Sequence, residues 1–300
     1  MTRRREDWSR FSDLPTEAAR ARSVDLELAS TAEVVRLVVD EEQSVHDAAR
    51  LVVADITRAA ELVAEALRAG GRLVYVGAGT SGRLGALDAA ELPPTFGIAR
   101  DRTVAVIAGG PRALSRSVEG AEDHGPMAVR RLQRLGIGPK DVVCGIAASG
   151  ITPFARAALE YARDRGARTI FVTCNATTDV RADVLVAPRV GPELLPGSTR
   201  LKGGSVTKLV LNAISTAAMT RLGKVYRGRM VDVVASNEKL KARALRIVME
   251  LTELDEKRAR ALLRRAHGRC KLALAIHLTG ASTVEAERRL AAASDDLRLL

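Results

Sequence analysis

Five short runs of β-branched and other apolar residues constrain the fold of this 300-residue chain more than any other feature. Apolar residues fill each run instead of alternating with polar ones, which is typical of strands buried on both faces of a parallel sheet. The runs cover residues 72–76, 103–108, 141–147, 168–173 and 183–187. Segments with helical periodicity, such as 121–135 and 153–165, lie between most of them. This alternation predicts an α/β fold with a doubly wound parallel sheet of five strands.

Helical patterns also precede and follow the predicted sheet. Residues 31–67 have apolar positions at helical spacing before Gly70-Gly71, which predicts helices that pack on the core or across a subunit interface. Further helices are predicted over residues 199–222, 238–250, 257–265, 270–277 and 285–293. Ser282 and Glu285 have the spacing of a capping box for the last of them. The predicted parts of the chain are a helical segment at 1–70, an α/β domain at 71–235 and a small helical domain at 236–300.

Basic residues exceed acidic ones by 11, but most of this excess lies in the last part of the chain. Residues 221–300 contain 18 of the 47 basic and 10 of the 36 acidic side chains. Aromatic residues make up 3% of the chain and do not interleave with arginine runs, so the stacking surfaces of single-strand binders are missing. No run reaches the roughly 18 apolar residues of a membrane span, and no signal peptide is recognisable. We therefore expect neither a nucleic-acid partner nor a membrane partner.

The three cysteines, Cys144, Cys174 and Cys270, are odd in number and widely spaced. Two of them lie in apolar runs that are predicted to be strands. This usage is typical of reduced thiols in a protein core, and it predicts a cytoplasmic protein.

The first predicted strand runs directly into a glycine turn at residues 77–83, and a helix is predicted to begin at Leu84. A strand, a glycine turn and a helix N-terminus present backbone N–H groups to an anion. The turn has the GxGxxG spacing of dinucleotide sites, but the second strand does not end in the acidic residue that would bind the ribose. Arg83 stands where a Walker loop has its lysine. The adjacent hydroxyls of Thr80 and Ser81 therefore favour a phosphate monoester.

A second turn at the end of the third predicted strand repeats this arrangement. Ser149, Gly150 and Thr152 precede Pro153, which is placed for the first turn of a helix. For either turn alone, a Ser or Thr that merely caps a helix remains an alternative. The carboxyl ends of neighbouring parallel strands meet at the crevice where such folds bind ligands. The two turns together therefore predict a sugar-phosphate site.

A third segment, residues 197–205, opens the long predicted helix and includes Ser198, Lys202 and the pair Gly203-Gly204. Each glycine inside a helix costs about 1 kcal/mol relative to alanine, so something is expected to approach the backbone closely there. Tight helix packing and contact with a ligand are both compatible with this pattern.

Two carboxylates are further candidates for chemistry. Glu91 precedes Pro93-Pro94, which is expected to end its helix, and Glu122 follows the second predicted strand. Periodicity alone indicates a solvated surface charge for each of them. The four histidines show no ligand spacing with cysteines or acids, so no metal site is expected.

Five motifs in register resemble those of the N-acetylmuramic acid 6-phosphate etherases, a bacterial family of the sugar isomerase (SIS) fold. They are LVYVGAGTSGRLGALDAAELPPTFG, SVEGAED, GIAASGITP, GPELLPGSTRLKGGSVTKLVLN and MVDVVASNEKL. The resemblance covers residues 14–280 and implies a five-stranded SIS domain, which binds sugar phosphates, followed by a small helical domain similar to ubiquitin-associated (UBA) domains.

The resemblance also implies a cytoplasmic, homodimeric carbon–oxygen lyase without a cofactor, acting in the recycling of cell-wall amino sugars. Such enzymes cleave the D-lactyl ether of N-acetylmuramic acid 6-phosphate to give N-acetylglucosamine 6-phosphate and D-lactate. Their two essential glutamates match Glu91 and Glu122. By analogy, Glu91 donates a proton to lactate and Glu122 is the base. The resemblance defines the pair of glutamates better than it defines which of them is the acid.

Residues of the glycine and hydroxyl turns are expected to bind the substrate. They are Gly79, Thr80, Ser81, Gly82, Ser149, Gly150, Thr152, Ser198 and Lys202. Three positions depart from the family pattern: Ile151, where relatives usually have Arg, Pro196, where they usually have Thr or Ser, and Arg20, where they usually have Asn.

The main alternative is a non-catalytic sensor of sugar phosphates, since the glucokinase regulatory protein shares the fold and the GSTR-type segment. A sensor has no need of paired acids, so the presence of both Glu91 and Glu122 favours the lyase. An aldose–ketose isomerase would release no lactate. A transcription regulator of this fold would need a helix-turn-helix module before the sheet, which the pattern of residues 1–70 does not support.

Overall fold

The computed structural model describes Leu14 and residues 16–18, 25–235 and 237–300. Arg20, one of the three departures from the family pattern, lies outside the described residues.

A parallel five-stranded sheet forms the centre of the fold, with the strand order β2-β1-β3-β4-β5. Its strands are β1 (Leu73–Gly77), β2 (Thr103–Ile107), β3 (Val142–Ile146), β4 (Arg168–Val172) and β5 (Val184–Val186). Every residue of β1 and β3 is buried, as their continuous apolar runs require. The predicted doubly wound α/β fold is therefore confirmed, and each strand ends within one or two residues of its predicted bounds.

Eleven helices of at least nine residues surround or follow the sheet within the described chain. Three precede it: α1 (Thr31–Glu41), α2 (Gln43–Leu51) and α3 (Val53–Arg68). Four lie among or directly after its strands: α4 (Gly79–Phe96), α5 (Gly125–Leu135), α6 (Pro153–Asp164) and α7 (Lys202–Arg221). A short hairpin of β6 (Val225–Tyr226) and β7 (Arg229–Met230) leads to α8 (Glu238–Thr252), α9 (Glu256–Arg265), α10 (Cys270–Thr279) and α11 (Thr283–Ala292).

The N-terminal capping box predicted for α11 is half formed. The Ser282 hydroxyl accepts the Glu285 N–H at 3.3 Å, but the Glu285 carboxylate binds Arg288 and Arg289. A complete capping box stands instead at α1, between Ser30 and Glu33.

Helix α4 differs from its prediction at both ends. It begins at Gly79 and not at Leu84, because the first turn packs directly on the sheet. A Cβ at Gly82 would lie 2.6 Å from the Gly77 carbonyl oxygen and 2.7 Å from a side-chain carbon of Ile107, so only glycine fits there. The helix also continues through Pro93 and Pro94 to Phe96, where the sequence predicted its end.

The chain divides into two compact units. The first contains the described residues up to Asp88 together with Val104–Ile214, and its core packs helices against the sheet. The second contains Ala89–Thr103 together with Ser215–Leu300, and its core lies among α8–α11. The division cuts through α4 and α7 and does not follow the predicted domain bounds at residues 70 and 235, which stay a prediction.

No helix in the described parts of the chain is both long and apolar enough to cross a membrane. Cys144, Cys174 and Cys270 are all buried and free.

Candidate active site

The sheet order creates a crevice between β1 and β3. From β1 the chain moves outward to β2, and it then returns to place β3 on the other side of β1. Such a reversal separates the connections on the two sides and opens a ligand site at the carboxyl ends of the two strands. The two turns singled out in the sequence follow these two strands.

The turn after β1 forms the first turn of α4. Gly79 adopts a left-handed backbone conformation, with φ +52°, and Thr80 and Ser81 are half-buried beside it. Residues in this position lie at the positive end of the helix dipole, where an anion is favoured.

Side chains of the loop after β4 donate hydrogen bonds to the turn after β3. The Asn175 side-chain amide donates to the Ser149 carbonyl at 3.0 Å, and the Thr178 hydroxyl donates to the Gly150 carbonyl at 3.0 Å. Gly150 has φ +79°, a conformation that favours glycine. Asn175 and Thr178 were not predicted as site residues, although a hydroxyl- and amide-rich run directly after a predicted strand was a usable signal.

A cleft of about 800 Å³ opens beside this turn. Ser149, Ile151 and Thr152 line it from one side, and Glu122 lines it as well. Thr152 stands at the N-cap of α6 but, among the described residues, its side chain caps no helical N–H. The structure therefore brings the predicted base and two predicted substrate-binding hydroxyls to one cavity.

The surroundings of Glu122 make it a better base than an ordinary glutamate. The residue lies in a short 3-10 turn, Ala121–Asp123, that follows Gly120 in a left-handed conformation. Partial burial raises the pKa of Glu122, and the neighbouring charges of Asp123 and Glu119 raise it further. A base is most effective when its pKa lies near the working pH, so this shift suits proton abstraction.

Arg156 contributes a cation to the cleft, one helical turn beyond Thr152. Its guanidinium holds the Asp179 carboxylate by two hydrogen bonds of 2.6 and 2.8 Å, and this contact lowers the pKa of Asp179. Of the described residues that line the cleft, Arg156 is the one with a permanent positive charge. It was not a candidate in the sequence analysis.

The N-terminus of α7 is occupied by a carboxylate of the protein itself. Glu193, which is buried, accepts the N–H groups of Lys202 at 3.1 Å and of Gly203 at 2.8 Å. Burial raises the pKa of Glu193 despite these hydrogen bonds. The Lys202 ammonium is also buried and pairs with Glu41 at 2.6 Å.

The two glycines at the start of α7 differ in how closely they are packed. A Cβ at Gly203 would lie 3.2 Å from Glu193 Oε1, and one at Gly204 would lie 3.5 Å from Thr80 Cγ2. Close packing thus accounts for Gly203, whereas a Cβ at Gly204 would meet only ordinary van der Waals contacts, so both explanations stay open for Gly204. Ser198 is half-buried nearby in the sequence, and the contacts predicted for Ser198 and Lys202 with a ligand stay predictions.

Arg83, next to the first turn, binds the protein backbone. Its Nε donates to the Ala113 carbonyl at 2.9 Å and its Nη2 to the Arg116 carbonyl at 3.2 Å. The guanidinium thus anchors the loop after β2.

Glu91 belongs to the second compact unit, where it lies exposed in α4 two residues before Pro93. Across the described residues, no group of three or more His, Cys, Asp or Glu side chains is arranged to hold a metal ion.

Relatives of known family share almost the whole length of this chain. N-acetylmuramic acid 6-phosphate etherase 2 of Vibrio cholerae is 45% identical over 290 residues, which are 96% of this chain and 94% of the relative. The etherase of Mesorhizobium japonicum is 45% identical over 287 residues, or 95% of this chain and 94% of that one. The chain belongs to the N-acetylmuramic acid 6-phosphate etherase family. An etherase of Yersinia pestis, 46% identical over 279 residues, covers 92% of this chain and 95% of its own length.

The fold agrees with this membership in the etherase family. The sequence profile of the glucokinase regulatory protein N-terminal SIS domain matches residues 55–163. A solved chain from Bacteroides fragilis, assigned to phosphosugar isomerases involved in capsule formation, superposes with a TM-score of 0.50 at 21% identity. That similarity covers 64% of this chain and 91% of the solved one, and it concerns the fold alone. The resemblance drawn from the sequence motifs is confirmed.

Proposed function

We propose that this protein is a carbon–oxygen lyase that cleaves the D-lactyl ether of N-acetylmuramic acid 6-phosphate. The products are N-acetylglucosamine 6-phosphate and D-lactate. Three relatives that carry the etherase name, at 45–46% identity over more than nine-tenths of this chain, support this activity. The observation that carries the proposal in the structure is that Glu122, a carboxylate with a raised pKa, shares one cleft with Ser149 and Thr152.

The proposed reaction is an elimination followed by an addition of water. In the open-chain sugar, the aldehyde at carbon 1 acidifies the hydrogen on carbon 2. Glu122 removes this proton, a double bond forms between carbons 2 and 3, and the bond from carbon 3 to the lactyl oxygen breaks. Glu91 protonates the departing oxygen to release lactate. Water then adds to the unsaturated aldehyde: its oxygen bonds to carbon 3, and a proton returns to carbon 2. Two carboxylates, one ionised and one protonated, can therefore serve both the elimination and the addition.

We propose that the 6-phosphate binds between the turns after β1 and β3. Gly79 and Gly82 let the first turn of α4 approach it, and Thr80 and Ser81 offer hydroxyls there. Ser149, Gly150 and Thr152 offer hydroxyl and N–H donors from the other turn. Two helix N-termini directed at one dianion favour its binding, and holding the sugar there presents carbon 2 to Glu122. Arg156 offers a cation to the anionic groups of this substrate.

We also propose a cytoplasmic homodimer. Helix α1 buries none of its residues, and Val35 and Val39 on it are 58% and 64% exposed. An apolar helix face of this kind is expected to be covered by a second copy of the chain, which sedimentation equilibrium would test. The three free, buried thiols suit a reducing compartment.

The experiment that tests the function is an assay for D-lactate after incubation with N-acetylmuramic acid 6-phosphate. We expect release by the wild type, with kcat lowered about 10²–10⁴-fold in both Glu91→Gln and Glu122→Gln, since each removes a proton-transfer group without changing its size. The pH dependence of kcat/KM should be bell-shaped. A wild-type protein that binds the sugar phosphate but releases no lactate would instead support the sensor.

A further inference from the structure

In helix α4, a side chain replaces the helical hydrogen bond that is missing at Pro93. In an α-helix, the N–H of Pro93 would donate to the carbonyl of Ala89, but proline has no N–H. The Thr103 hydroxyl donates to the Ala89 carbonyl instead, at 3.2 Å. Ala89 and Thr103 are both buried, with 7% and 5% exposure, so water is a poor substitute for this donor.

The far end of the same turn is held by the segment before α8. The Val234 N–H donates to the Pro94 carbonyl at 3.3 Å. Gly97, with φ +63°, packs so closely on the Asp232 backbone that a Cβ would lie 2.6 Å from its carbonyl oxygen. The stretch of α4 that carries Glu91 is thus bound at the Ala89 carbonyl before it and at Pro94 and Gly97 after it.

Asp232 itself pairs with two lysines, of which Lys271 is buried and Lys224 is partly buried. Its carboxylate pairs with the Lys224 ammonium at 2.9 Å and with the Lys271 ammonium at 2.5 Å. Lys271 is 3% exposed and also pairs with Asp295 at 2.8 Å. Removal of a carboxylate would leave the buried Lys271 ammonium less well compensated, so these ion pairs favour the observed position of Asp232.

We infer that Thr103 is a positioning residue for Glu91, a proposal that rests on the proposed role of Glu91 as proton donor. Glu91 lies between Ala89 and Pro93, so its direction depends on how that turn closes. Without the Thr103 hydroxyl, the Ala89 carbonyl loses its buried hydrogen-bond donor. The turn then shifts to bring the carbonyl to another donor. Displacement of a catalytic group by about 1 Å lowers a rate by up to about 10²-fold.

The test compares Thr103→Val, which keeps the shape but removes the hydroxyl, with Thr103→Ser, which keeps the hydroxyl. Steady-state D-lactate release should show kcat about tenfold lower in the Val variant, with KM within about twofold of wild type, as expected for an effect on the chemical step. The Ser variant should recover most of the lost kcat. Thermal unfolding checks that both variants fold, and Thr103→Ala replaces Thr103→Val if that variant shows no cooperative transition.

Two further measurements separate positioning from general damage. Thr103→Val combined with Glu91→Gln should have the same kcat as Glu91→Gln alone, because Thr103 acts through Glu91. A substrate analogue with an acidic phenol in place of lactate needs little protonation of its leaving group, so on this analogue the Val variant should approach the wild-type rate.

Three results would overturn the proposal: an unchanged kcat in the Val variant, an equal loss in the Val and Ser variants, or an additive loss in the double variant. A normal kcat in Glu91→Gln would instead remove the proposed role of Glu91. Lactate release and the effect of Glu122→Gln would still report on the lyase activity itself.

Discussion

Helices α6 and α7 both begin in segments rich in glycine and hydroxyl side chains, yet their N-termini have different partners. At α7, the carboxylate of Glu193 accepts two of the first N–H groups. At α6, Thr152 stands at the N-cap beside a cleft that also contains Glu122. An N-terminus attracts negative charge in either case, but at α7 the protein supplies that charge itself. The difference agrees with our proposal that α6 offers its N–H groups to the phosphate, and it leaves fewer free N–H groups for a ligand at the start of α7.

The largest expected effect is a loss of stability when the Glu193 carboxylate is removed from the N-terminus of α7. Glu193→Ala removes the acceptor of two buried N–H groups and should lower the free energy of unfolding by about 2–3 kcal/mol, because each bond to a buried carboxylate is costly to lose. Glu193→Gln keeps one acceptor and avoids the burial of a charge, so its free energy of unfolding should fall less than that of Glu193→Ala. Urea unfolding measures both variants, and their KM should stay unchanged. A raised KM with unchanged stability would place α7 in the substrate site.

Thr152→Val should have an intermediate effect, this time on substrate binding. It removes a hydroxyl proposed to bind the phosphate, and the loss of one hydrogen bond to a charged group should raise KM about tenfold. Unfolding should be little changed, because the described structure gives this side chain no capping bond. Thr207→Val, in the interior of α7, is the matched control and should leave KM unaltered. An equal rise in KM for both variants would contradict the assignment.

Asp123→Asn should have the smallest effect, a shift in the pH profile. The Asp123 charge raises the pKa of Glu122, so its removal favours the ionised form of Glu122. The acid limb of kcat/KM, where the base becomes protonated, should therefore move to lower pH, with the plateau rate nearly unchanged. Glu160→Gln is a control that keeps the Asp123 and Glu119 charges next to Glu122. If the acid limb of kcat/KM does not move, a group other than Glu122 controls it.

The sheet was predictable because its strands are continuous apolar runs, a signal that does not depend on distant residues. The course of α4 was not predictable, because it depends on contacts far along the chain. Proline interrupts a helix by local rules, whereas the Thr103 hydroxyl donates to the Ala89 carbonyl and the distant Val234 N–H donates to the Pro94 carbonyl. The early start at Gly79 likewise reflects close packing on Gly77 and Ile107.

The site was partly predictable for similar reasons. Hydroxyl turns at the ends of β1 and β3 follow from strand order and local composition. Glu193 was missed because a loop carboxylate has no periodicity that marks it as a helix cap. Glu91 and Glu122 stood out through family motifs and not through spacing, since an isolated glutamate in sequence looks like any surface charge.

Because Ala89–Thr103 belongs to the second compact unit, truncated forms of this protein need to be designed around both segments of that unit. A chain cut after residue 235 would keep Asp232 but lose Lys271 and Asp295, and it would divide the second compact unit. We therefore expect such a truncation to leave the second compact unit incomplete. On this division, we expect that chimeras which exchange the C-terminal helices between relatives would need to exchange residues 89–103 as well.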